Sequence, residues 1–172
     1  MRMSLIGRLV AMMVLCSVVS ATRGSEAMER DVAHYGEDVF TSRDFRKGEL
    51  RHLVLFRYKD SVTAEQRGTI KRHFLELAEV CERNGTRYVK SIETGVQNSG
   101  EGADQDFEQG FMLTFKSEGD RNYFVGRSIV QNNFDKNHDE FKSFVAPFLR
   151  EPVIPEGLFV FDFNVEPNEQ TA

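Results

Sequence analysis

The sequence predicts an α+β fold, a ferredoxin-like β-α-β-β-α-β sandwich that pairs with a second copy into a homodimer. Three observations carry this. Between residues 50 and 166 the apolar period alternates between two and 3.6 in the order strand, helix, strand, strand, helix, strand. Capping and turn residues separate the segments at the expected places. Several strands are apolar on both faces, which one layer of helices cannot cover, and an identical sheet from a second copy is the simplest cover.

The fold begins only after an export signal is set aside. Residues 1–21 carry Arg2 and Arg8, an apolar run over 9–19 and small residues up to Ala21, so cleavage is expected after Ala21. The run is shorter than the ~20 apolar residues that span a bilayer, so no stable membrane anchor is expected after cleavage. Cys16 follows Leu15, where a lipidation signal needs a small residue. Residues 22–49 are polar and glycine-containing, a flexible lead-in that packs partly through Val39, Phe40 and Phe45.

Residues 51–59 form the first strand, with His52, Val54, Phe56 and Tyr58 on one face and Leu53, Leu55 and Arg57 on the other. Thr63 and Gln66 fit a capping box. The helix behind it carries Ile70, Phe74, Leu77, Ala78 and Cys81 on one stripe and is expected to stop at Asn84-Gly85. Cys81 is then a buried, inert thiol. Residues 87–96 make the second strand, 98–106 an acidic hairpin loop without calcium-loop spacing, and 107–116 the third strand. A short helix starts at Ser117. Asn137 or Asp139 is expected to cap the last helix, whose apolar face holds Phe141, Phe144, Val145, Phe148 and Leu149. Residues 158–165 close the sheet, with Phe159, Phe161 and Phe163 on one face opposite Leu158 and Val160. Residues 167–172 are a tail.

Composition excludes several functions. A net charge of −5 gives no general attraction to nucleic acid. Two cysteines rule out a disulfide scaffold and a cysteine-based metal framework. His34, His52, His73 and His138 lie on separate elements, so no metal site and no cofactor are expected.

The chain resembles the stress-responsive A/B barrel (Dabb) family. His52-Leu53-Val54-Leu55-Phe56, Lys59-Asp60 and Glu65-Gln66 resemble its opening strand and K-D-x-x-x-x-E-Q stretch. Gly95 and Asn98, the segment from Phe111 to Ser117, Tyr123, and His138 with Phe141, Pro147 and Leu149 follow its later pattern. Fourteen residues, Phe124–Asn137, separate Tyr123 from His138, where most members have a short Y-x-x-H-P-x-H run. The resemblance implies a dimeric α+β barrel. It also implies that His52, Tyr123 and His138 line one end of a cavity and are the candidate catalytic residues. Val54, Phe56, Tyr58 and Phe141 are the candidate ligand-binding residues.

Three functions are then in view. The first is an exported, homodimeric barrel binding a small apolar ligand. The second is a cyclase- or lyase-like enzyme in which a His–Tyr pair moves protons beside a substrate carbonyl. The third is a monooxygenase-like barrel, since related dimeric barrels do that chemistry.

Overall fold

A computed structural model describes residues 24–167. The export signal, its cleavage point at Ala21 and the tail from residue 168 lie outside the described residues. Residues 24–35 form helix α1 and Glu37–Phe40 helix α2. There follow β1 (Lys47–Phe56), α3 (Ala64–Val80), a small hairpin of β2 (Glu82–Arg83) and β3 (Thr86–Arg87), β4 (Ser91–Val96) and β5 (Gln109–Ser117). Helices α4 (Glu118–Val125) and α5 (Lys136–Val145) precede β6 (Leu158–Asn164). The main sheet runs β4-β5-β1-β6, antiparallel throughout, which is the ferredoxin-like order expected. No described helix is long and apolar enough to cross a membrane.

Strand β1 shows why one face is dry. His52, Val54 and Phe56 point to the helices and are buried, while Arg51, Leu53 and Leu55 alternate with them on the opposite, half-open face. Register carries the pattern across the sheet: Val54 lies opposite Phe111 on β5, and Leu53 and Leu55 lie opposite Phe161 and Phe159 on β6. Under the helices Phe74 stacks on Phe111 with ring centroids 3.9 Å apart, and Phe56 and Phe141 meet the pair edge-on or tilted. Each fully buried Phe contributes roughly 1.5–3 kcal/mol of burial. The α3 capping box forms as its sequence predicts, Thr63 accepting from the Gln66 amide and Gln66 from the Thr63 amide.

Four local readings are corrected. Helix α3 ends at Val80, and Asn84-Gly85 is the turn of the β2–β3 hairpin, with φ of 53° and 68°. Consecutive left-handed residues are the signature of a type I′ turn, which Asn-Gly favours. The second sheet strand begins at Ser91 rather than Arg87, because Thr86 and Arg87 pair within that hairpin. Helix α5 is capped by Asp135, whose carboxylate accepts from the His138 amide, and not by Asn137 or Asp139. Strand β1 begins at Lys47, four residues before the expected start.

The expected flexible lead-in also differs from what is observed. Residues 24–35 and 37–40 are helical, and Phe40 and Phe45 form a second apolar cluster with Val130, against which Met28, Val32 and Ile129 pack. Val39 is half exposed.

Candidate functional site

His52 and Asp162 are directly paired across β1 and β6, both on the face towards the helices. His52 Nδ1 lies 2.5 Å from Asp162 Oδ1, and the His52 side chain is 5% exposed. A carboxylate only accepts, so Nδ1 carries the proton and donates it, which leaves Nε2 as the basic nitrogen. The other Asp162 oxygen accepts from the Arg121 guanidinium on α4. Burial works to raise the Asp162 carboxyl, but His52 and then Arg121 outweigh it and hold the group below its ordinary value. The imidazole itself meets Phe115 and Phe124 edge-on. The arrangement is an oriented histidine in aromatic surroundings, its tautomer set by a carboxylate that is in turn balanced by arginine.

His138 stands in the first turn of α5. Its Nδ1 donates to the Phe124 carbonyl at 2.6 Å, and its ring stacks on Phe124 with centroids 3.7 Å apart. Burial drives its pKa down to about 3, overriding the Phe124 hydrogen bond that favours the charged form, and Lys142 and His52 add to the lowering. His138 is therefore a neutral imidazole at ordinary pH. Phe124 touches both histidines, so His52 and His138 belong to one aromatic nest.

Tyr123 goes elsewhere. Neighbouring residues on a helix point about 100° apart, and Tyr123 turns to Arg83, whose guanidinium lies 3.9 Å over its ring, and to Tyr88, at 5.4 Å between centroids. Tyr88 donates to Asp135 Oδ2 at 2.6 Å. Burial raises the Tyr123 phenol, helped by Asp135 and opposed by Arg83. Cys81 is wholly buried beside this group, and burial and then Asp135 push its thiol up, as expected of an inert cysteine. The structure thus brings His52 and His138 together and turns Tyr123 to the adjoining cluster of Tyr88, Arg83 and Asp135, which meets the histidines where Asp135 accepts from the His138 amide.

The residues expected to bind a ligand, Val54, Phe56, Tyr58 and Phe141, are all in the close-packed core. Tyr58 donates to Gln109 Oε1 at 2.9 Å, and burial pushes its phenol up to about 12. The open space lies on the other face of the sheet. A groove of about 420 Å³ there is walled by the side chains of Leu53, Leu55, Phe107 and Met112. Its floor includes the cross-strand pair Gly95 and Gly110, which have no side chains to fill it. Sequence reasoning missed Asp162 and this groove. Asp162 had a signal: one acid between phenylalanines, on the helix-facing side of an apolar strand. Among the described residues no cluster of His, Cys, Asp or Glu is placed to hold a metal ion.

A family model described as the stress-responsive A/B barrel domain matches residues 50–165. Similar solved structures include an Arabidopsis thaliana protein, 20% identical, covering 69% of this chain and 97% of that one with a TM-score of 0.53. A hydroxynitrile lyase from Passiflora edulis is 18% identical over 71% of this chain and 97% of its own, with a TM-score of 0.55. A dimeric ferredoxin-like protein of unknown function from Jannaschia sp. is 18% identical over 69% and 100%, with a TM-score of 0.51. At these identities the likeness is one of fold. No curated protein matches the chain.

Proposed function

The chain belongs to the stress-responsive A/B barrel (Dabb) family, and from that premise we propose that it acts as an exported homodimer enclosing a small apolar ligand between its two sheets. One observation carries this reading: the sheet face away from the helices is apolar and bare. Phe159, Phe161 and Phe163 are 43%, 53% and 42% exposed there, next to the half-open Leu53 and Leu55. Contiguous apolar surface of this kind marks a docking or ligand surface. A second copy laid face to face is self-complementary about a two-fold axis and roofs the Gly95–Gly110 groove. The result is a concave, mostly apolar space, which suits a small ligand. The Jannaschia protein of the same fold is itself described as dimeric. Export rests on the arginine, apolar and small-residue order of residues 1–21.

Light scattering and a fluorescent apolar dye test the two parts. The mature chain is expected at twice its monomer mass at micromolar concentration. Gly110→Leu, which fills the groove from its floor, is expected to weaken dye binding about tenfold, the effect of ~1.4 kcal/mol. A wild-type monomer removes the pairing, and unchanged dye binding removes the groove as the ligand site.

A second reading is carried by His52 and Asp162. A carboxylate-oriented imidazole with a basic Nε2 suits proton transfer beside a carbonyl, as a cyclase- or lyase-like enzyme requires. The fold relative from Passiflora edulis is a hydroxynitrile lyase. Since Tyr123 is turned away, this reading uses His52 with Asp162 in place of a His–Tyr pair. Turnover that survives His52→Asn, in a variant shown to fold, refutes it.

A further inference from the structure

We infer that the N-terminal segment, residues 24–46, is a strap belonging to the candidate site, and that through Asn122 and Arg121 it sets how firmly Asp162 holds a proton on His52. The inference rests on the second reading above, in which His52 is the proton-transferring group.

The strap is built into α4, the helix that carries Arg121 and Asn122. The first amides of a helix have no partner within it, and here the Glu118 and Gly119 amides donate to the Arg46 and Phe45 carbonyls, each at 3.2 Å. Gly119 is where the strap crosses: a Cβ at that position would lie 1.7 Å from the Ser42 carbonyl oxygen. The far end of the strap is clasped as well. The Glu37 carboxylate accepts from the Gln131 and Asn132 amides at 2.7 and 3.0 Å, binding the loop that follows α4.

Asn122 is the link inward. It is 1% exposed, and both ends of its amide are used. Nδ2 donates to the Phe40 carbonyl at 2.8 Å, while Oδ1 accepts from Arg121 Nε at 2.9 Å. A carbonyl only accepts and a guanidinium only donates, so this orientation of the amide is the one both partners allow. Arg121 then donates to Asp162, and His52 donates to the other oxygen of the same carboxylate. The chain of contacts runs from strap backbone to imidazole through two side chains of one helix turn and one acid on β6.

Asn122 is a positioning residue here, because it touches neither the histidine nor any reacting atom. The groups that bear on the His52 charge are Asp162 from β6, Arg121 from α4 and His138 from α5. Arg121 takes up part of the Asp162 charge. When Arg121 is released, more of the Asp162 charge falls to the His52 Nδ1–H, and that hydrogen bond strengthens.

The experiment follows the His52 Nδ1 proton, the one given to Asp162, by NMR at fixed pH in the full mature chain, without substrate. Asn122→Ala is expected to move that resonance downfield, as the His52–Asp162 bond strengthens, and Arg121→Met to move it further in the same direction. Asn137→Ala removes a comparable side-chain bond, to the Val80 carbonyl at 2.9 Å, which takes no part in this chain of contacts, and is expected to leave the resonance in place. If Asn122→Ala does not fold, Asn122→Ser, too short to reach both partners, replaces it. An unmoved resonance in the Asn122 variant, or an equal shift in Asn137→Ala, overturns the proposal. Absence of turnover in the wild type instead removes the enzymatic reading, so the two failures are distinct.

Discussion

His138 makes the pH dependence of stability predictable. In the folded chain its pKa is pushed down to about 3 by burial; unfolded, it returns to 6.5. Between those values the unfolded state binds one proton more than the folded state, so stability falls as pH drops below 6.5 and the loss is complete near pH 3. At 1.36 kcal/mol per unit, the loss is about 2 kcal/mol between pH 7 and pH 5, and about 4 kcal/mol by pH 3. The perturbation is His138→Gln, which keeps a donor for the Phe124 carbonyl but does not titrate. It costs stability at pH 7 by losing the stack on Phe124. Its disadvantage against wild type is expected to shrink by about 2 kcal/mol on going to pH 5. Urea unfolding of both proteins at matched concentration reads this directly, since the remaining titrating groups are common to both. Parallel pH profiles, or a His138 ring titrating near 6.5 by NMR, refute the burial argument.

Three more outcomes are expected. Phe161→Asp places a charge on the open face, and if that face is a dry interface the unpaired charge costs roughly 3–5 kcal/mol; light scattering is expected to show monomer, and an unchanged dimer places Phe161 outside the interface. Gly119→Ala forces its new carbon against the Ser42 carbonyl and is expected to destabilise by about 2–4 kcal/mol in urea unfolding; a loss below about 0.5 kcal/mol means the strap does not cross α4 this closely. Exported material is expected to begin at Thr22 by N-terminal sequencing, and retention of residues 9–19 indicates an anchor instead.

The parts of this fold that local chemistry controls are the parts legible in the sequence. The capping box at Thr63 needs only four residues, and it starts α3 where it should. Alternation in β1, β5 and β6 is a property of the extended chain itself, so the faces carrying Phe111, Leu113 and Phe115, or Phe159, Phe161 and Phe163, follow from the letters. The two-faced character of β1 and β6, and with it the bare sheet face, was visible for the same reason.

What tertiary structure decided depends on contacts between distant residues. Asn84-Gly85 suits both a helix end and a type I′ turn; the pairing of Arg83 with Thr86 selects the turn. Asp135, Asn137 and Asp139 are all competent caps, and Asp135 holds the position while it also accepts from Tyr88, far back in the chain. The polar stretch before β1 has no apolar period of its own, and it packs because Phe40 and Phe45 find Val130 in a loop that has none either. His52 was identified by motif, but its partner Asp162 lies 110 residues away and is delivered by the β1–β6 register alone. Tyr123 is separated from the histidines by the angle between successive helix residues once Phe124 takes the inward position. Propensity and period are short-range and are carried by each segment, whereas charge pairing and side-chain company exist only when two segments meet.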